Sequence, residues 1–141
     1  MFNQLHRGRV SRGFTLIELL LVMVILGVLA SIVVPSFVRR AEQARITKAK
    51  VDIATLKGAI ESFQIDNSRY PNNDEGLAAL VQAPADCPRW NRTIEAVPRD
   101  PWTHDYIYGY PGQHNLEYDV YSMGKDGQES SVIGNWNLDE W

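Results

Sequence analysis

The sequence predicts an α+β fold: a long N-terminal helix, membrane half plus amphipathic half, packed on a small C-terminal antiparallel sheet. Three observations carry that prediction. An unbroken apolar run covers residues 14–34, with Glu18 as its only charge. A stripe of apolar residues at intervals of three and four follows it. Two β-rich runs, separated by a turn containing Pro111 and Gly112, lie in the second half of the chain.

The apolar run has 21 residues, fifteen of them Phe, Leu, Ile or Val. As a helix it extends roughly 31 Å, against a bilayer hydrocarbon core of about 30 Å. Membrane insertion is favoured by several kcal/mol in total, of which Glu18 removes a part. The residues before it hold Arg7, Arg9 and Arg12 and no acid. An ordinary secretory signal has an apolar stretch of only about 7–15 residues and a small-residue cleavage site after it. This run is too long to fit that pattern. Basic residues flank the span on both sides, so charge alone leaves its orientation open.

Beyond the run, Pro35 removes a backbone donor and is expected to bend the helix without necessarily ending it. Ile46, Ala49, Ile53, Leu56, Ile60 and Phe63 then form one apolar stripe. Lys48, Lys50, Asp52, Lys57 and Glu61 fall off that stripe, as expected for a helix packed on its own domain. The segment Asp66–Asn73 is turn chemistry and ends the long helix. A short helix starting near Asn73 or Asp74 is expected, with Leu77, Leu80 and Val81 of Glu75–Gln82 on one face. Ala83–Pro101 is rich in proline and reads as loop. Tyr106–Tyr110 and Tyr118–Ser122 read as a hairpin. Residues from Gly124 onward read as a polar tail carrying Trp136 and Trp141.

Composition excludes several classes. The single cysteine, Cys87, cannot close an intramolecular disulfide or build a multi-cysteine zinc site, and is expected to be a free buried thiol. His6, His104 and His114 lack metal-ligand spacing. No nucleophile elbow and no phosphate-cradling glycine loop is present, so the chain is not expected to be an enzyme. Asp100, in Pro98-Arg99-Asp100-Pro101, reads as a turn-fixing acid. The net charge of −3 is an average over unlike parts. Residues 37–57 hold six basic and two acidic side chains, whereas residues 58–141 hold five basic and fourteen acidic ones. An acidic head argues against nucleic-acid binding. The basic collar suits anionic headgroups or an acidic neighbour.

The junction Arg12-Gly13-Phe14-Thr15-Leu16-Ile17-Glu18 resembles the class III signal of type IV pilins and pseudopilins. The resemblance implies a pilin-like fold, cleavage between Gly13 and Phe14 by the prepilin peptidase, and N-methylation of Phe14. It also supplies the orientation that charge leaves open: a single-pass protein of the bacterial inner membrane with its C-terminal domain in the periplasm. Residues 1–13 are then a cleaved leader and 14–34 a transmembrane and polymerisation helix. Residues 35–141 form a periplasmic domain that includes the second half of the long helix. Glu18 has two readings. Thr15 and Glu18 have the spacing of a capping box, and an acid suits the first turn of a helix. Capping contributes less than a carboxylate costs at membrane depth, so the acid wants a cationic partner. The resemblance implies the amino terminus of a neighbouring subunit's Phe14.

The head narrows the resemblance. Tyr70-Pro71, Gly76–Val81, Pro98–Trp102, Tyr118–Gly127 and Asn135-Trp136, in that order, resemble the major pseudopilins of type II secretion systems. That implies a structural subunit that polymerises from the inner membrane into a periplasmic filament driving export of folded proteins. Its implied partners are itself in a helical homopolymer, minor pseudopilins, the prepilin peptidase, an inner-membrane assembly platform and, before assembly, membrane lipid. Two alternatives remain at this level: a type IV pilin or DNA-uptake pseudopilin, and a monomeric membrane-anchored periplasmic binding or enzymatic domain. The resemblance also implies a calcium site in the last loop, with Asp126 and the carbonyl of Met123 as matching positions. The stretch Gln128–Ile133 is shorter than the family pattern, and Val132 stands where an acid is expected. Glu129 or Asp119 would have to substitute, and calcium binding stays open on sequence alone.

Overall fold

The computed structural model describes residues 13–115 and 117–139. Most of the expected leader, and Trp141, therefore lie outside the described residues. One helix, α1 (Leu16–Asn67), contains 52 residues and continues through Pro35. The chain divides after Arg40 into two compact units.

The first unit contributes the N-terminal part of α1. Its large apolar side chains, from Leu16 to Val38, are all exposed, with Leu16 at 78% and Met23 at 74%. The helix is long and apolar enough to cross a membrane, and none of its most apolar window is buried. Among the described residues, nothing within the unit covers these side chains.

The second unit is the head. Ala49, Ile53, Leu56, Ile60 and Phe63 of α1 are buried, and Ile46 packs at their margin. Full burial of each large apolar side chain contributes about 1.5–3 kcal/mol, so this stripe holds the helix to the head. Asn67 ends α1 and Ser68 turns left-handed (φ 59°), as the turn chemistry predicts. The expected short helix is present but tighter. It is a 3-10 helix, Gly76–Leu80, that buries Leu77, Ala79 and Leu80. Val81 is only half-buried, because the three-residue turn brings Ala79 to the inner face in its place.

The hairpin forms as β1 (Ile107–Gly109) and β2 (Asp119–Ser122), antiparallel, with Ile107 opposite Tyr121 and Gly109 opposite Asp119. The polar tail holds a further strand. In β3 (Ile133–Gly134), Ile133 pairs with Ser122 and Gly134 with Tyr121. The sheet order is β1-β2-β3. Gly134 is required there, since a Cβ would come within 2.5 Å of the Trp136 ring. Tyr106, Tyr118, Val120 and Ile133 meet the α1 stripe in the core.

Polar ties reinforce the packing. The Tyr106 hydroxyl donates to Asp52 (3.0 Å), the Tyr108 hydroxyl to the Pro71 carbonyl (2.9 Å), and Trp102 Nε1 to Glu42 (3.1 Å). Lys50 Nζ donates to the Leu138 carbonyl (2.7 Å), which ties α1 to the segment after β3. Cys87 is a free, buried thiol, with Arg69 Nη2 3.2 Å from its sulfur.

Candidate functional site

The sequence points to two regions, the start of α1 and the last loop. Gly13, Phe14 and Thr15 precede the helix and are exposed, Phe14 at 80%. Apart from Gly13 and its chain neighbours, none of the described residues comes within 4 Å of where a Gly13 Cβ would stand. Gly13 and Phe14 thus lie outside the helix, with their own surfaces exposed.

Thr15 and Glu18 form the capping box within one chain. The Thr15 amide donates to Glu18 Oε2 (2.8 Å), the Thr15 hydroxyl donates to the same oxygen (2.9 Å), and the Glu18 amide approaches Thr15 Oγ1 at 3.3 Å. The arrangement satisfies donors that a helix N-terminus otherwise leaves open. Both of the contacts accepted by the carboxylate go to Oε2. The structure thus brings Phe14 and Glu18 to one helix end.

The last loop is organised differently from a metal site. Calcium takes about six to eight oxygen ligands, commonly with several carboxylates. Asp126 and Glu129 are both exposed, and among the described residues no group of three or more His, Cys, Asp or Glu could hold a metal ion. The Met123 carbonyl is already an acceptor, with the Ser131 hydroxyl 3.0 Å away. The residues present do not fit calcium.

Asp119 cannot stand in for the missing acid. The residue is 4% exposed, and its carboxylate accepts the amides of Gln113 (2.7 Å), His114 (2.9 Å) and Asn115 (2.9 Å). His114 Nδ1 sits 3.1 Å from it. Burial works to raise the Asp119 carboxyl, but these amides and the ring outweigh it and hold the group below the usual range. The His114 ring also stacks on Trp136 at 3.9 Å. Asp100 is the turn-fixing acid expected: it accepts the Trp102 and His104 amides (3.0 and 2.7 Å) and the Ser122 hydroxyl. Sequence reasoning missed the clamp at Asp119, although an acid placed just after a loop rich in Gly, Gln, His and Asn is its signal.

This geometry can be set beside known proteins. The family model described as Type II secretion system (T2SS), protein G matches residues 36–141, and the prokaryotic N-terminal methylation motif matches residues 8–34. The chain is 44% identical to the type II secretion system core protein G of Pectobacterium carotovorum subsp. carotovorum, over 94% of this chain and 89% of that one. It is also 44% identical to the protein of that name from Vibrio cholerae serotype O1, over 97% and 99%. Among solved structures, the major pseudopilin from the type 2 secretion system of enterohaemorrhagic Escherichia coli matches with a TM-score of 0.64. That match has 33% identity and covers 74% of this chain and 97% of that one. An exposed apolar helix under a methylation motif, and a head matched along its whole length, lead to one conclusion: the chain belongs to the type II secretion system protein G family.

Proposed function

We propose that the chain is a structural, non-catalytic subunit of a type II secretion pseudopilus. It is stored in the inner membrane with its head in the periplasm, and it polymerises into a filament that drives folded proteins across the outer membrane. The observation that carries this reading is α1 itself. Its head half buries a complete apolar stripe, while its N-terminal half is apolar and exposed all round. Such a surface needs lipid or the same helix of other subunits around it.

Processing comes first. The prepilin peptidase cuts between Gly13 and Phe14 and methylates Phe14, which removes three basic residues and leaves a chain of net charge −6. The inner-membrane assembly platform then takes the subunit from lipid into the filament, where it meets copies of itself and minor pseudopilins. Glu18 exchanges its own Thr15 for the charged amino terminus of a neighbouring Phe14. Repeated head-to-tail contacts give an open helix.

Overexpression with the cognate secretion machinery tests the reading. Periplasmic or surface filaments that contain the chain, together with a secretion defect on its deletion, are expected. A membrane-anchored chain that never forms filaments would support an anchored monomeric domain instead. Filaments without any secretion defect would support a pilin.

A further inference from the structure

We propose that the last loop of this subunit is closed by the Ser131 hydroxyl in place of a bound cation, so that the head folds and stays folded without calcium. Residues 123–131 form a tight loop between β2 and β3. The Ser131 hydroxyl reaches both limbs: its oxygen lies 3.0 Å from the Met123 carbonyl and 2.9 Å from the Gln128 carbonyl. Its single proton serves these two acceptors, and the Ser131 amide donates to Gln128 as well (2.9 Å). The carbonyl that a cation would use thus already accepts a hydrogen bond from the chain itself.

The two limbs also touch. Gly124 is buried with φ 70°, and a Cβ there would stand 2.2 Å from the Ser131 carbonyl oxygen. No ion-sized space separates the backbone of 124 from that of 131. The Gly124 amide donates to the Ser122 hydroxyl (2.9 Å), which in turn donates to buried Asp100. On the far side, the Asn137 side chain accepts the Gly134 amide (2.8 Å) and donates to the Val132 carbonyl (3.1 Å). The loop is therefore pinned at one end through Ser122 to Asp100, at the other by Asn137, and stapled across its middle by the Ser131 hydroxyl, while Asp126 and Glu129 face solvent. Two exposed carboxylates do not supply the ligand count calcium requires.

The test uses the full-length chain in detergent micelles. Melting is followed in EDTA and in about 20 mM calcium chloride, well above the roughly 0.1–1 mM dissociation constants of weak extracellular-type sites. No shift is expected, and amide exchange across residues 123–132 should be equally slow in both. A calcium-dependent rise of about 4 °C or more, or slower exchange in the loop with calcium, would overturn the proposal. Ser131→Ala should melt several degrees lower in both conditions, and Ser131→Thr, which keeps the hydroxyl, should melt near the parent. Recovery of Ser131→Ala by calcium would also overturn it. If Ser131→Ala does not fold, the parent's indifference to calcium and the Thr variant still decide.

Discussion

Two stretches of one helix make different demands on the protein. From Ala49 to Phe63, α1 buries one stripe in its own head and leaves charges such as Lys57 and Glu61 outside. From Leu16 to Val38 it is apolar apart from Glu18 and two serines, and its large apolar side chains are all exposed. The first stretch is finished within the chain; the second is finished only by something outside it. Local sequence separates them: a three-and-four spacing marks a helix with an inside, and uniform apolarity marks a helix whose solvent is not water.

The comparison breaks most sharply at Glu18. Glu18→Ala should abolish filaments seen by electron microscopy while leaving the melting of the head unchanged. Parental filament yield would sink the assembly role. The converse variant is Phe63→Ala, which removes a side chain 1% exposed and should cost the head about 3–5 kcal/mol in chemical denaturation. Leu21→Ala, 60% exposed, should leave that denaturation curve in place. Equal effects of the two would mean that the helix halves are not the separate devices described.

A smaller effect lies in the head's loops. Asp119→Asn should destabilise by about 2 kcal/mol, because a buried carboxylate holding three amides is replaced by a neutral group with one acceptor oxygen. The native group's carboxyl sits below its ordinary range. Its contribution is therefore complete above the unfolded value near pH 4 and lost as pH falls through the folded value. Glu75, lowered chiefly by its hydrogen bond from Arg69, acts in the same direction. Urea titrations of the parent and Asp119→Asn should draw together as the pH falls progressively below about 4. The smallest effect is expected at the exposed Lys57–Glu61 pair, 3.9 Å apart, where Lys57→Ala should change stability by less than about 0.5 kcal/mol.

Much of this is legible in the sequence. The α1 stripe, its stop after Asp66 and the hairpin all follow from periods of 3.6 and 2 and from turn residues, which act over a few positions. What escaped depends on partners far along the chain. β3 is two residues long, too short for alternation to show, and its Gly134 is fixed by the ring of Trp136. The Gly76–Leu80 turn tightened to a 3-10 helix, so Ala79 and not Val81 faces inward. The bond from Lys50 to the Leu138 carbonyl spans 88 positions, and no local pattern announces it. At the candidate sites, Gly13, Phe14 and Glu18 were marked by a short motif. The neutral closure of the last loop hung on which carbonyl the Ser131 hydroxyl meets.

The tyrosines of the head have an optical consequence. Tyr70 and Tyr108 pack against Tyr118 at 5.1 and 6.1 Å between ring centres, and Tyr106 is buried nearby in the same core. Burial, more than any neighbour, pushes the phenols of Tyr106, Tyr108 and Tyr118 well above their ordinary value. While the head is folded they stay dark in the phenolate absorption band above about pH 10, where an unfolded chain ionises. Their stabilising contribution is whole below that pH and drains away above it. In an alkaline titration, the rise of phenolate absorbance from these rings would report the opening of the core, with no label added.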